Sequence, residues 1–73
     1  MNQKKLQKNI GKKICDIRKE KGITRQELAA SIDKLRPVIQ RIEGGLVNPS
    51  IYTLREIAGG LGIKLEQLVK SLG

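Results

Sequence analysis

Arg36, Gln40 and Arg41 recur at helical spacing beside Pro37, and Ile39 and Ile42 alternate with them. In a helix the two isoleucines turn inward and the polar set turns outward on one face. Two guanidinium groups and an amide can donate hydrogen bonds in pairs to base edges or to phosphates. This is recognition chemistry, and the outward set is what a helix presents to a major groove. Catalytic chemistry is poorly supplied. The chain has no histidine and one cysteine, Cys15. No nucleophile–base pair or paired-carboxylate pattern stands out. An enzyme is therefore not expected, nor a cofactor, and one cysteine without histidine cannot build a zinc site. Tyr52 is the lone aromatic residue, which leaves no base-stacking platform.

Charge points to the kind of partner. The 73 residues carry 15 Lys and Arg against 7 Asp and Glu, a net +8. Residues 1–25 hold nine basic and two acidic groups, or +7, and residues 26–73 hold six and five, or +1. Such a surface suits a polyanion, either nucleic acid or an anionic membrane. No apolar run approaches the ~18 residues of a spanning helix, and no signal segment follows the first lysines. The length allows one small domain. Without a disulfide or metal, its stability must come from helix packing, self-association or both. A lone thiol fits a reducing, cytoplasmic setting.

The elements that must hold the outward set can be read from caps and apolar periodicity. Residues 1–9 are predicted to be a basic arm or the start of the first helix, and 10–73 the domain proper. Ile10, Ile14 and Ile17 predict a helix over 8–21, closed by Gly22. Thr24-Arg25-Gln26-Glu27 is a capping box for a second helix over 25–32, with Leu28, Ala29 and Ile32 inward. Asp33-Lys34-Leu35 is the turn, where aspartate tolerates left-handed backbone. A third helix over 36–43 starts around Pro37, which needs no N–H in a first turn. Ser50 caps a fourth helix with Ile51, Leu54, Ile57, Ala58 and Leu61 as its stripe. Gly59 and Gly60 weaken that helix and Gly62 stops it. Ile63, Leu65, Leu68, Val69 and Leu72 mark a fifth helix over 65–72. The predicted core is Ile10, Ile14, Ile17, Leu28, Ala29, Ile32, Ile39, Ile42, Leu54, Ile57, Ala58, Leu61 and Leu68.

Two short helices across a three-residue turn form a helix-turn-helix unit. The stretch IGKKICDIRKEKGITRQELAASIDKLRPVIQRIEGGLVNPSIYTLREIAGGLGIKLEQL resembles the phage-repressor/Cro-like family, also called the xenobiotic-response-element family. Its strongest pieces are IRKEKGIT, QELA, RIEGG, NPS and LxxIAGGLGI. The resemblance implies an all-α, five-helix repressor-like bundle that binds double-stranded DNA, commonly as a dimer on a palindrome. By position, Arg25 falls where the family usually has a phosphate-contacting glutamine. Gln26 beside it, at the helix N-terminus where the dipole favours phosphate, is expected to help hold the backbone. Arg36, Pro37, Gln40 and Arg41 fall on the base- and backbone-contacting positions of its recognition helix. Arg18 and Glu43 match an ion pair between the first and third helices.

The departures from the family pattern are informative. Lys34 and Leu35 replace an apolar turn residue and a hydroxyl cap. Pro37 and Val38 replace small polar residues, and Leu46-Val47 stand where loop cations would hold phosphate. The implied function is a sequence-specific, DNA-binding transcriptional regulator, with a repressor favoured. The alternative is an antitoxin that binds a toxin protein and its own promoter. A homodimer through the fifth helix and the region joining it to the fourth is expected, and no membrane association.

Overall fold

The computed structural model describes residues 3–70. They form five helices: α1 (Gln3–Glu20), α2 (Arg25–Ser31), α3 (Arg36–Glu43), α4 (Ile51–Gly60) and α5 (Leu65–Val69). No strand occurs among the described residues. None of their helices is long and apolar enough to cross a membrane. Leu72, expected in the last helix, lies outside the described residues.

Local chemistry sets the boundaries. Thr24 Oγ1 accepts from the Glu27 amide at 3.0 Å, and the Thr24 amide donates to Glu27 Oε1 at 2.9 Å, which closes the capping box of α2. Asp33 carries the turn after it, with φ +56. Leu35 begins α3 without a side-chain cap. Ser50 Oγ accepts from the Thr53 amide at 3.1 Å and caps α4. The first helix is longer than the apolar stripe indicated: it starts at Gln3, within the stretch expected to be an arm or the start of that helix. Lysine and glutamine are good helix formers, so the polar start continues the helix without needing a buried face.

α1 packs on α3 and α5, α2 on α3 and α4, and α4 on α5. Their shared core is Ile10, Ile14, Leu28, Ala29, Ile39, Ile42, Leu54, Ile57, Ala58, Leu61 and Leu68. Ile17 and Ile32, expected in that core, are only partly buried against it. Ile17 borders a depression shared with Ile63 and Gln67, at a seam that the five-residue α5 is too short to close. Ile32 caps α2 and so begins the turn rather than the helix face. Ile51, read as the first residue of the α4 stripe, is 66% exposed.

Two glycines mark helix crossings. A Cβ on Gly11 would run into the carbonyls of Ile42 and Glu43, so α1 crosses the end of α3 backbone to backbone. A Cβ on Gly60 would meet Ile32 Cγ2 and Ser31 Oγ at 2.8 Å, where the end of α2 lies on α4. Gly59 has nothing within 4 Å of that position, and nothing in the packing explains it.

Candidate nucleic-acid interface

The interface is built on α3. Ile39 and Ile42 are buried, with exposures of 0% and 3%, and they fix the rotation of the helix. Arg36, Pro37, Gln40 and Arg41 are exposed on the opposite side, over about 140° of arc. Neither Arg36 nor Arg41 joins an ion pair among the described residues. Their guanidinium groups are left with their donors facing outward. Val38, between the two faces, is partly buried against the core.

The start of α2 sits beside the start of α3. Arg25, Gln26 and Arg36 share a shallow depression of about 410 Å³, which Lys19 and Gly22 also border. Lys19 was not singled out in the sequence. The turn at Gly22 returns the chain from α1 to α2 and brings the end of α1 to this surface. Its signal was there only in retrospect: a cation three residues before the turn that precedes the helix-turn-helix.

Beneath this surface lies a carboxylate shared by two arginines. Arg18 Nε donates to Glu43 Oε2 at 2.7 Å, and Arg18 Nη2 donates to Oε1 at 3.1 Å. Arg18 Nη1 donates to the Ile23 carbonyl at 2.8 Å, and Nη2 also reaches Cys15 Sγ at 3.6 Å. The Arg18 and Glu43 side chains are 8% and 2% exposed, so the pair is buried between α1 and α3. Arg25 Nε completes the group with a 2.9 Å bond to Glu43 Oε1. Burial pushes the Glu43 carboxyl up, but the hydrogen bonds from Arg18 and Arg25 outweigh it and hold the carboxyl below the ordinary glutamate range.

Arg25 is thus not a free surface cation. Its Nε is tied to the core carboxylate, while its side chain remains 36% exposed. Reading Arg25 only as an outward residue missed this tie, because eighteen residues separate the partners and no local spacing joins them. Gln26 is exposed at the rim of the depression. A further contact anchors the turn: Lys34 Nζ stands 3.2 Å from Glu56 Oε1 of α4, close enough for ion pairing but not aligned as a hydrogen bond. Of the residues marked by sequence, Gln26, Arg36, Pro37, Gln40 and Arg41 are therefore exposed, Arg25 is half-buried, and Arg18 and Glu43 lie beneath.

Known proteins resemble this chain in sequence and fold. The Helix-turn-helix family model, HTH_3, matches residues 16–68. The immunity repressor protein of Bacillus phage phi105 is 38% identical over 60 residues, covering 82% of this chain and 42% of the repressor. The control protein C.MunI of a Mycoplasma species is 37% identical over 73 residues, covering 99% of this chain and 96% of its own length. The chain therefore spans less than half of the phage repressor and nearly all of the control protein. A solved mutant of the restriction-modification controller protein C.Esp1396I superposes with a TM-score of 0.84 at 31% identity, covering 92% of this chain and 85% of that one. The chain belongs to the Helix-turn-helix family.

Proposed function

We propose that this regulator reads double-stranded DNA by placing the outer face of α3 in a major groove. Arg36, Gln40 and Arg41 donate hydrogen bonds to base edges or flanking phosphates, and Pro37 offers an apolar contact to a thymine methyl. Arg25 and Gln26 hold the sugar-phosphate backbone at the rim. The observation that carries this reading is the division of α3 into a buried isoleucine face and an exposed face whose guanidinium groups join no ion pair among the described residues. Resemblance to a phage immunity repressor favours repression as the outcome, and favours a regulator over a toxin-bound antitoxin. A DNA-binding domain over 10–73, acting in the cytoplasm, fits this role.

A two-fold dimer deepens the reading, since a palindromic operator presents two half-sites. The α4–α5 region offers apolar surface for it: Ile51 and Tyr52 are 66% and 72% exposed, and Ile51 borders a depression with Ala58, Ile63 and Leu65. Selection of bound duplexes from a random library tests the DNA reading, with an enriched, two-fold motif expected. Recovery of unenriched sequence would refute specific readout. Sedimentation is expected to show a dimer on the selected duplex, and a monomer both free and bound at high micromolar concentration would refute it.

A further inference from the structure

The loop after α3 lacks cations. Residues 44–49 read GGLVNP, with Leu46 76% and Val47 37% exposed. The nearest positive charges come from α1 instead. Gly45, with φ +71, packs under the turn of α1 that carries Lys8. A Cβ on Gly45 would fall 2.7 Å from Lys8 Cγ and 3.0 Å from Lys8 Cα. Lys4 is one turn before Lys8, at the four-residue spacing that puts two side chains on the same side of a helix. Both are exposed, and neither is in an ion pair among the described residues.

The charges of these lysines are not neutralised within their own helix. The first turn of α1 contains no acidic residue. Cations near a helix start oppose its dipole, and like charges one turn apart repel. An anion outside the helix reverses both effects.

We propose that Lys4 and Lys8 form a second phosphate-binding surface for duplex DNA, beside the loop that follows α3. The proposal rests on the duplex-DNA reading above. Lys8 stands against Gly45, so its charge is presented where the chain leaves the C-terminal end of α3. The long first helix takes over the task that the uncharged 44–49 loop cannot perform.

The test compares the salt dependence of duplex affinity in three proteins: wild type, Lys4→Gln/Lys8→Gln, and Lys13→Gln/Lys21→Gln. The last pair removes the same charge beside the depression that Ile17 shares with Gln67, away from the face of α1 that carries Lys4 and Lys8. Each phosphate contact contributes about 0.9 to the slope of log affinity against log salt, so the first double variant is expected to lose roughly 1.8. That corresponds to a loss on the order of 30-fold at about 0.15 M salt, with the ratio of selected to random duplex unchanged. Matching thermal melting curves check that the fold is kept. An unchanged slope, or an equal loss in both double variants, overturns the proposal while leaving the DNA reading intact. Duplex binding that survives while binding to phosphatidylserine vesicles is lost assigns the surface to a membrane and also overturns it. A wild type that binds no duplex overturns the DNA reading itself.

Discussion

The two faces of α3 are separated by one helix diameter and obey different physics. The inner face, Ile39, Ile42 and Glu43, is closed to water and carries a charge that is neutralised by Arg18 and shared with Arg25. The outer face, Arg36, Pro37, Gln40 and Arg41, is open and has no ion pair within the described residues. Substitutions inside are expected to change stability, and substitutions outside to change binding. Arg25 belongs to both, since its Nε reaches the buried carboxylate while part of the side chain meets solvent.

The largest expected effect is on the inner face. Glu43→Ala leaves Arg18 buried without its counter-charge and is expected to cost about 3–5 kcal/mol of folding stability. Replacing both partners by apolar residues of similar volume is expected to cost less than the single change, because no unmatched charge remains. Denaturant unfolding of the two singles and the double checks the coupling, and additive costs would break the contrast between the faces. Ile39→Ala is expected to cost roughly 2–5 kcal/mol, and a loss under about 1 kcal/mol would mean that Ile39 does not lock the rotation of α3.

Acid should find the same weak point. The folded carboxyl of Glu43 is held below its ordinary value of 4.5, so the unfolded state binds a proton first as pH falls. The stabilisation is complete above the unfolded value and is lost as pH drops from about 4.5 through the lower folded value. Glu27 titrates in the same direction, held down by the Thr24 backbone and side-chain hydrogen bonds of the capping box. Stability measured against pH is expected to decline through this window in wild type. In a Glu43→Gln protein stable enough to measure, the decline should be shallower.

Smaller effects separate crossings from open positions. Gly59→Ala is expected to stabilise α4 by up to about 1 kcal/mol, since helix propensity improves and nothing obstructs the new methyl. Gly60→Ala gains the same propensity but drives the methyl into Ile32, Ser31 and Leu28. Its net effect is expected to be destabilising, by about 1–3 kcal/mol. Melting curves of the two variants check the sign, which sequence alone assigns identically to both. Arg25→Ala is expected to cost under about 1 kcal/mol of stability because the side chain is partly solvated. It should also lower the salt slope of DNA binding by about one unit without changing sequence preference.

These positions show what the sequence reveals and where it stops. Caps and periodicity are local, so Thr24–Glu27, Asp33 and Ser50 could be read directly, and α3 was legible over 36–43. The inward rotation of α3 followed from Ile39 and Ile42 alone. Long-range pairings leave no local mark: the Arg25–Glu43 bond, the contact of Gly60 with α2, and Gly45 beneath Lys8 all depend on how helices cross. Ile51 was misread because the first residue of an amphipathic stripe can face either way until a neighbouring helix covers it. Lys19 was missed for the opposite reason, since a lysine on a basic helix looks like solvated surface until the Gly22 turn brings it beside Arg25 and Arg36.

The central claim is that the outer face of α3 supplies sequence preference. Its most direct measurement is the affinity of wild type, Arg36→Ala and Arg41→Ala for a selected duplex and for random duplex, at one salt concentration. At least one variant is expected to lose about 1–3 kcal/mol on the selected duplex and to accept changes at particular base pairs, with its folding stability unchanged within about 0.5 kcal/mol. Full retention of the wild-type ratio by both variants would contradict the claim and transfer specificity to DNA shape, to apolar contacts or to a partner protein.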